Sequence, residues 1–598
     1  MKETFQPAVV PADPEANATA LLLDRVAKTP GKPLFAVPEG DGWRDITAAE
    51  FHEQVVALAK GFIAEGVQPG DKVAFMCRTR YEWTLVDFAL WFAGAVMVPV
   101  YETSSASQLA WNMEDSGAVM FLAETAEHFA RFEEVRERLT AVRRSWRMDE
   151  GALDRLRAAG AAVSDEQVEQ RRSAAKGSDI ATLIYTSGSS GRPRGCVLTH
   201  SNFVELARNS AKALEDVLDP EASTLLFITL AHVFARFISV LSVHAGVRVG
   251  HQADTTRLME AMGTFRPSFL LAVPRVFEKV YNVAEQKAAA GGKGKIFAAA
   301  VDTAIAHSRA VMSGGRVPLG LALRFRLYDA LVYRRLKAAL GGRARYAVSG
   351  SAPLGERLGH FFHSLGLTIL EGYGLTETTA PATVNRPEKF VIGTVGPVLP
   401  GVALRIADDG EIEVKGIDVF AGYWNDPEGT REAFTEDGFF KTGDLGSLDE
   451  DGYLTITGRK KEIIITAGGK NVAPAPLEDR IRANPVVGQV VVCGDGKPFI
   501  SALITLDPEM LPTWLSNNGQ SPQLTLAQAA ENPAVIAEVQ RAVDAANASV
   551  SRAESIRKFR ILPIEWTQDS GHLTPKLSIK RHVIMTDFAP EVEAMYAS

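Results

Sequence analysis

The stretch YTSGSSGRPRG, Tyr185 to Gly195, combines closely spaced glycines with several hydroxyl side chains. The apolar segment DIATLI before it predicts a short strand, and NFVELARNSAKALE after it predicts an amphipathic helix. Glycines let successive backbone N–H groups turn toward one anion, and the hydroxyls can add hydrogen bonds. The pattern therefore predicts a strand, a phosphate-binding loop and a helix. The Gly-Lys-Ser/Thr ending of a Walker loop is missing, so the loop is of another type.

The composition describes an ordinary globular protein with more than one domain. The chain has 598 residues, of which 46% are hydrophobic and 23% charged, and this length exceeds what one hydrophobic core accommodates. A net charge of -8 provides no broad basic field, so nucleic acid is not an expected partner. The cysteines Cys77, Cys196 and Cys493 lack paired spacing, which argues against a zinc site or disulfides and favours a reducing cytoplasm.

No segment of the sequence predicts a membrane span. The N-terminal residues lack the basic-then-apolar order of a signal peptide. The most apolar run, FALWFAGAVMVPV at Phe88 to Val100, is too short to cross a bilayer and predicts a buried helix that leads into a strand. Peripheral membrane contact stays open.

The order of predicted elements divides the chain in two. From about residue 20 to 460, helical stretches alternate with short strands such as KVAFMC and AVMFLA, which predicts an α/β domain of packed sheets and helices. Beyond ITGRKKE, the strands EIIIT, GQVVVCGD and FISALITLD and the helix PLEDRIRANP predict a smaller α+β domain. The predicted domains are residues 1–459 and 460–598. The charged, alanine-rich segment Gln286 to Lys337 is interpreted as solvated surface.

Four further stretches place polar groups at predicted turns. SGSAPL (349–354) follows a strand at its carboxyl end, where open α/β sheets bind ligands. EGYGLTETTA (371–380) brings together an aromatic ring, hydroxyls and a carboxylate, KTGDLG (441–446) adds an acid, and TGRKKE (457–462) adds cations. Each stretch alone is compatible with an ordinary turn or core residue. Together they supply groups for phosphates, a base, ribose hydroxyls and a cation, which predicts a nucleotide site.

In this order the motifs resemble those of the adenylate-forming superfamily, which includes acyl-CoA synthetases, luciferases and the adenylation domains of peptide synthetases. The resemblance covers about residues 20–582, and LAHVFAR (230–236) and LLAVPRVFEKVYN (270–282) are similar to long-chain fatty-acid–CoA ligases. It implies a large α/β N-terminal domain and a small, mobile α+β C-terminal lid. It also implies that a long-chain fatty acid and ATP give acyl-AMP and pyrophosphate, that CoA then takes the acyl group, and that Mg²⁺ assists.

The resemblance also assigns roles to individual residues. The residues implied to bind the β- and γ-phosphates are Thr186, Ser187, Gly188, Ser189, Ser190, Gly191 and Arg194. Arg194 replaces the usual lysine and offers a wider fork of donors. The implied adenine pocket consists of Gly350, Ser351, Ala352, Tyr373 and Gly374.

The resemblance also implies which residues bind the ribose, the metal ion and the acyl chain. Asp444 would accept hydrogen bonds from the ribose hydroxyls, and Arg459 would add a contact near ribose or phosphate. Two residues are implied to act in catalysis: Thr376 would contact the α-phosphate, and Glu377 would hold a Mg²⁺ that bridges phosphate oxygens. The residues at the implied gate of the fatty-acid tunnel are His232, Val233 and Phe234, of which the histidine is equally compatible with a structural role.

The catalytic lysine is where the sequence departs from the family. The family places a lysine near the C-terminus, but an ungapped match of HLTPKLSIKR puts Ser578 at that position. Lys576 and Lys580 flank it, and in an extended segment all three side chains would point to one side. Lys576 is the predicted catalytic residue, with Lys580 and a loss of adenylation as the alternatives.

The start of the lid carries two further implied sites. Lys461 corresponds to the hinge about which the lid rotates between the half-reactions. Gly468 and Gly469 would let the pantetheine arm of CoA pass closely, and a plain β-turn is the alternative for this loop.

The predicted function is therefore a cytoplasmic long-chain fatty-acid–CoA ligase. The alternatives are a fatty acyl-AMP ligase that passes its acyl group to a carrier protein, a luciferase-type oxygenase, and a binding protein that has lost catalysis. A mechanochemical P-loop ATPase is not favoured, since the Walker lysine is missing. The sequence leaves open the chain-length preference, a homodimer, and peripheral contact with the inner membrane face.

Overall fold

The N-terminal domain is built around a mixed seven-stranded sheet. The computed structural model describes residues 2–186, 192–574 and 578–597. The strands of this sheet, in spatial order, are Gly422–Tyr423, Arg194–Thr199, Ile180–Thr186, Val96–Val100, Lys72–Met76, Met120–Ala123 and Arg144–Arg147. The last five run parallel. Their apolar runs KVAFM, VMVPV and MFLA are buried between helices on both faces, which is the usual environment of parallel strands.

The loop at Tyr185–Gly195 joins two strands and not a strand and a helix. The strand Ile180–Thr186 pairs antiparallel with Arg194–Thr199. The predicted helix is present as His200–Ala213, but it begins one strand beyond the loop. The prediction that the helix follows the loop directly is therefore wrong, because a strand lies between them. The segment RGCVLT satisfies its backbone groups by pairing with the preceding strand, a tertiary effect that local periodicity does not reveal.

A second sheet carries the motifs SGSAPL and EGYGLTETTA. Its strands in spatial order are Phe269–Ala272, Tyr346–Ser349, Thr368–Leu375 and Ala380–Val384. The first three are parallel and the last is antiparallel. Both motifs therefore lie at the carboxyl ends of neighbouring parallel strands, a position that the sequence predicts for SGSAPL.

Two further sheets complete the N-terminal domain. One consists of Ser223–Leu226, Arg248–His251, Pro33–Glu39 and Gly42–Thr47. The other is antiparallel and consists of Glu3–Gln6, Val402–Ile406, Glu411–Gly416, Phe440–Leu448 and Leu454–Arg459. Its last two strands form the hairpin that presents KTGDLG and TGRKKE.

The α-helices of this domain cover the sheets. The apolar run at Phe88–Val100 is a buried helix that leads into a strand, which confirms that prediction. The helices are Thr19–Lys28, Ala48–Ala64, Tyr81–Phe92, Ala106–Ser116, Ala126–Glu133, Ala152–Ala159, Asp165–Ala174, His200–Ala213, Val233–Ala245, Leu258–Phe265, Pro274–Ala290, Gly294–Met312, Leu319–Tyr328, Arg334–Ala339, Glu356–Ser364 and Pro427–Ala433.

The segment Gln286–Lys337 is not merely solvated surface. Helix Gly294–Met312 buries Phe297 and Val301, and the fully buried Tyr333 donates its hydroxyl to the carbonyl oxygen of Ala300 at 2.6 Å. The interpretation from composition is wrong here, because the abundance of alanine and charge conceals a periodic apolar face.

The C-terminal α+β domain has its own core. Its three-stranded sheet consists of Val487–Cys493, Ile500–Leu506 and Ile556–Ile561, and a small hairpin pairs Ile464–Ile465 with Asn471–Val472. Its helices are Ala475–Arg482, Leu511–Asn517, Leu526–Ala530, Pro533–Asn547, Arg581–Asp587 and Ala589–Tyr596. None of the helices in the described ranges of the chain has the length and apolar character needed to cross a membrane.

The two domains touch at separate places. Arg275 on helix Pro274–Ala290 pairs with Asp507 of the C-terminal domain at 2.8 Å between Nη2 and Oδ2. Elsewhere, the side-chain amide of Gln568 donates to the carbonyl oxygen of Thr103. The segment that leads toward Lys576 therefore lies against the N-terminal domain.

Candidate active site

The turn that carries Thr376 and Glu377 is tightly constrained. It is a single 3₁₀ turn between two antiparallel strands. A Cβ added to Gly374 would lie 1.6 Å from the carbonyl oxygen of Ala380, so only glycine fits there. Ala380 itself has φ 99°, in a region that costs a non-glycine residue about 1–3 kcal/mol. Strain of this kind is typical of functional sites.

Glu377 and Arg194 are connected through the ring of Tyr423. The Tyr423 hydroxyl donates to Oε1 of Glu377 at 3.0 Å, and the guanidinium carbon of Arg194 lies 3.8 Å from the ring centroid. Nη1 of Arg194 is also 3.7 Å from Oδ2 of Asp426. Burial and the neighbouring Glu377 raise the pKa of Tyr423, so its hydroxyl keeps its proton and remains a donor. The structure thus brings together a predicted phosphate-binding cation and a predicted metal ligand.

The phosphate loop is described only at its ends. The predicted residues outside the described part of the chain are Ser187, Gly188, Ser189, Ser190 and Gly191. Thr186 ends its strand opposite Arg194, and its Oγ1 lies 3.9 Å from Sγ of the buried Cys196. Arg192 places its guanidinium 4.8 Å from the ring centroid of Trp111. Two arginines, Arg192 and Arg194, therefore lie in the part of this stretch where the described residues resume.

Tyr373, Asp444 and Arg459 form a second connected group. Oδ2 of the buried Asp444 accepts the Tyr373 hydroxyl at 2.7 Å, and its Oδ1 pairs with Nε of Arg459 at 2.9 Å. Burial raises the pKa of Asp444, and the guanidinium of Arg459 opposes that rise. Each carboxylate oxygen has two lone pairs, so Asp444 retains capacity for ligand hydroxyls.

The predicted pocket residues Gly350–Ala352 adjoin this group. A Cβ added to Gly350 would lie 3.3 Å from the carbonyl oxygen of Gly372, the residue before Tyr373. Ser351 has φ 71°, a second left-handed non-glycine conformation at the site. The wall implied for adenine therefore lies beside the strand that carries the aromatic ring.

The buried carboxyl of Glu371, which contacts the SGSAPL turn, was not identified from the sequence. Oε2 of Glu371 accepts the backbone N–H of Leu354 at 3.0 Å, and the Glu371 carbonyl accepts the N–H of Asn385 at 2.9 Å. Burial raises the pKa of Glu371 to about 7. Glu371 thereby fixes the end of the SGSAPL turn.

The predicted gate residues lie at the start of helix Val233–Ala245. Nδ1 of His232 accepts the N–H of Phe234 at 3.2 Å, so the histidine caps the helix. Val233 is buried, whereas the Phe234 ring lies 3.7 Å from the position of a Cβ added to Gly350. The residues predicted for the gate and for the adenine wall are therefore adjacent.

A buried ion pair ties this helix to the core. Nε and Nη2 of the fully buried Arg236 bind the two carboxylate oxygens of Asp87 at 2.9 and 2.6 Å. Nη1 donates to Oγ1 of Thr182 at 2.6 Å. The guanidinium carbon of Arg236 also lies 5.4–5.5 Å from the ring centroids of three aromatic residues, Trp83, Trp91 and Phe203. Because Thr182 lies on the strand Ile180–Thr186, which leads into the predicted phosphate loop, the pair connects helix Val233–Ala245 to that strand.

The predicted hinge lies just after the last strand of the N-terminal domain. Lys461 is exposed in a 3₁₀ turn, while Nζ of the preceding Lys460 binds Oε2 of Glu411 at 2.8 Å and also contacts Asp409. An exposed side chain in a short turn is compatible with rotation. The hinge role of Lys461 stays a prediction.

Gly468 and Gly469 form an exposed hairpin turn. The N–H of Gly469 donates to the carbonyl of Thr466 at 2.8 Å, and the N–H of Thr466 donates to the carbonyl of Lys470 at 3.0 Å. Gly469 has φ 77°, and no described atom lies within 4 Å of a Cβ added to it. The positive φ of Gly469 is sufficient to explain why glycine occupies this position. The role of Gly468 and Gly469 in binding CoA stays a prediction.

The predicted catalytic Lys576 lies outside the described residues, and the described residues on either side of it are joined by a backbone hydrogen bond. The N–H of Thr574 donates to the carbonyl of Ser578 at 2.8 Å, and Lys580 precedes helix Arg581–Asp587. The catalytic roles considered for Lys576 and Lys580 stay predictions.

Tyr423 and Arg236 were also missed as residues that organise the site. Tyr423 lies in VFAGYWND, which contains no pattern that distinguishes a ligand-facing aromatic from a core one. Arg236 lies within LAHVFAR, where its burial is visible only after its partner on another helix is known.

The site corresponds to a known family. A profile described as AMP-binding enzyme matches residues 22–424, and one described as AMP-binding enzyme C-terminal domain matches residues 461–598. The chain belongs to the AMP-binding enzyme family. Among curated relatives of this AMP-binding enzyme, Long-chain-fatty-acid--CoA ligase FadD15 of Mycobacterium tuberculosis is 49% identical over 601 residues, covering 100% of both chains.

Solved structures support the fold of this AMP-binding enzyme. ATP-bound MatB from Rhodopseudomonas palustris superposes with a TM-score of 0.69 at 23% identity, covering 96% of this chain and 99% of that chain. The adenylation domain of a carboxylate reductase from Mycobacterium chelonae gives 0.74 at 20% identity, covering 98% and 92%. These similarities establish the two-domain α/β architecture.

Proposed function

We propose that this chain is a long-chain-fatty-acid–CoA ligase, which forms an acyl-adenylate from fatty acid and ATP and then transfers the acyl group to CoA. The observation that carries the proposal is the 49% identity, over the full length of both chains, to a curated ligase of that activity. That relative uses CoA as acceptor, so transfer to a carrier protein is not favoured. The unpaired buried cysteines support a cytoplasmic location.

The first half-reaction brings a fatty-acid carboxylate to the α-phosphorus of ATP, so its main obstacle is the repulsion of two anions. Fixed cations and donors lower that barrier most when they are held in place before reaction. Arg194 is held on the Tyr423 ring and Arg459 on Asp444. Thr376, on the strained turn, is proposed to contact the α-phosphate as the acyl oxygen attacks and pyrophosphate leaves.

Glu377 fits the requirements of a Mg²⁺ ligand. Mg²⁺ prefers hard oxygen donors and commonly takes one or two carboxylates together with substrate phosphates. In the described part of the chain no cluster of three or more histidine, cysteine, aspartate or glutamate side chains could hold a metal by itself. A single carboxylate beside a phosphate site, fixed by Tyr423, suits such shared binding. When bound there, Mg²⁺ supplies positive charge to the phosphate oxygens.

The second connected group is proposed to hold the nucleoside. Asp444 would accept the ribose hydroxyls while Tyr373 and Arg459 fix its orientation. The wall at Gly350–Ala352 and the small Gly374 would leave space for adenine against the Tyr373 ring. None of these roles needs a proton transfer, because the residues bind and orient.

The lid is proposed to begin at residue 460 and to rotate about Lys461. Lys576 is proposed to reach the carboxylate and the α-phosphate during adenylation. The contact of the nearby Gln568 with Thr103 supports this, since it brings the same segment against the N-terminal domain. After rotation, Gly468 and Gly469 would line the path of the pantetheine arm.

The proposal is tested by product analysis of the full chain with palmitate, ATP and Mg²⁺, with and without CoA. We expect AMP, pyrophosphate and palmitoyl-CoA with CoA, and enzyme-bound palmitoyl-AMP without it. Lys576→Ala should lower adenylation far more than the matched Lys580→Ala. Equal adenylation by both variants and the wild type would overturn the lysine assignment, and absence of acyl-CoA from every acid tried would overturn the ligase proposal.

A further inference from the structure

A row of leucines faces outward on the helical segment that begins at Leu319. Leu319, Leu323, Leu327 and Leu331 are 84%, 66%, 56% and 49% exposed. Their spacing of four residues places them on successive turns of one side. Single exposed apolar residues are common on soluble proteins, but a contiguous line of large ones marks an interaction surface. We call these four residues the leucine stripe.

The opposite side of the same segment already supplies its share of the core. Phe325 stacks on His307 with ring centroids 4.0 Å apart, and the Tyr333 hydroxyl donates to Ala300. Leu336 is buried in the same core. The leucine stripe is therefore an additional apolar face on a segment that is already anchored.

Basic side chains accompany the leucine stripe. Between residues 316 and 337 the exposed basic residues are Arg316, Arg324, Arg326, Arg334, Arg335 and Lys337. The one acidic residue in that span, Asp329, pairs with Arg334 at 3.0 Å. The segment is thus strongly positive in a chain whose net charge is -8. Exposed leucines between arginines are typical of helices that lie in the interface of an anionic membrane.

We propose that the leucine stripe docks this protein on an anionic phospholipid surface. The leucines enter the boundary between headgroups and acyl chains, and the arginines contact lipid phosphates while their stems cover apolar surface. The positive charge argues against a second copy of this chain as the occupant, since a symmetric pair would oppose the same arginines. Docking would also put the enzyme where long-chain fatty acids partition, a consequence that rests on the proposed function.

The experiment is co-sedimentation of the full-length protein with phosphatidylcholine vesicles, with and without phosphatidylglycerol. We expect binding to the anionic vesicles that weakens at high salt. The double variant Leu323→Ser/Leu327→Ser should bind at least about tenfold more weakly, because two apolar side chains no longer enter the membrane. The matched control is Ile536→Ser, which changes an exposed apolar residue of the C-terminal domain and should bind like the wild type.

A second double variant tests the contribution of the arginine charges to binding. Arg324→Gln/Arg326→Gln should weaken binding to anionic vesicles and reduce its dependence on salt. Binding is measured without substrates, so it stands or falls independently of ligase activity. Acyl-CoA formation from soluble octanoate should be unchanged in both double variants.

Three outcomes would overturn the proposal. The first is a wild type that does not bind anionic vesicles, and the second is a Leu323→Ser/Leu327→Ser variant that binds them like the wild type. The third is a lipid-free dimer that this variant dissociates, which would assign the leucine stripe to a second copy of the chain.

Discussion

Replacing Tyr423 with phenylalanine tests whether the link between Arg194 and Glu377 serves adenylation. The substitution removes the hydroxyl that donates to Glu377 at 3.0 Å and leaves the ring on which Arg194 lies at 3.8 Å. Glu377 would then keep its charge but lose the donor that orients it, and under the proposed function this weakens its hold on Mg²⁺.

The expected loss follows from the kind of hydrogen bond removed. A bond to a charged acceptor is worth about 1.5–3 kcal/mol, so Tyr423→Phe should slow adenylation by roughly tenfold to 150-fold if the bond persists in the transition state. Tyr423→Leu also removes the ring under Arg194, a contact worth about 0.5–2 kcal/mol, and should be slower still. The order wild type, phenylalanine, leucine is part of the prediction.

The assay is pyrophosphate release in the presence of palmitate, ATP and Mg²⁺ but without CoA. The Mg²⁺ concentration for half-maximal rate should rise in Tyr423→Phe, which a purely structural defect would not cause. The matched control is Tyr281→Phe, since Tyr281 also has an arginine on its ring and a glutamate at its hydroxyl but lies on a helix away from the site. Wild-type rate and Mg²⁺ dependence in Tyr423→Phe would refute the reasoning.

Two further predictions concern stability. Asp87→Leu leaves Arg236 buried without its counter-ion and should destabilise the N-terminal domain by about 3–5 kcal/mol in thermal unfolding, whereas Asp87→Leu/Arg236→Met should regain most of that loss; equal losses in the two would contradict this. Burial raises the pKa of Glu371 from 4.5 to about 7, so the folded state favours the protonated carboxyl and stability falls by about 3 kcal/mol as pH rises across that interval. The neutral variant Glu371→Gln should lack this decline. The difference between its unfolding temperature and that of the wild type should therefore increase between pH 4.5 and 7. A difference that stays constant over this range would contradict the prediction.

Much of the architecture is predictable because it depends on local pattern. The alternating helices and strands, the helix-to-strand run at Phe88–Val100 and the separate C-terminal domain all follow from periodicity and length. The motifs around Tyr373 and Asp444 could be assigned to one site in advance because together they supply the groups that a nucleotide needs, although Asp444 lies on an antiparallel sheet separate from that of Tyr373.

The remaining features depend on partners that are distant in sequence. The strand Arg194–Thr199 exists because the preceding strand pairs with it, and Arg236 is tolerated in the core because Asp87 reaches it from another helix. Tyr423 enters the site because a two-residue edge strand places it between Arg194 and Glu377. Contacts of this kind are set by tertiary packing, and a local pattern contains no record of them.

The central claim is that the fatty-acid carboxylate attacks the α-phosphorus of ATP. It is tested most directly with palmitate whose carboxyl oxygens are oxygen-18, incubated with the protein, ATP, Mg²⁺ and CoA, followed by mass spectrometry of the nucleotide. The account predicts palmitoyl-CoA together with AMP that carries one labelled oxygen, because the oxygen joining acyl group and phosphorus stays with AMP when CoA attacks. Palmitoyl-CoA accompanied by ADP, or by AMP without the label, would contradict it.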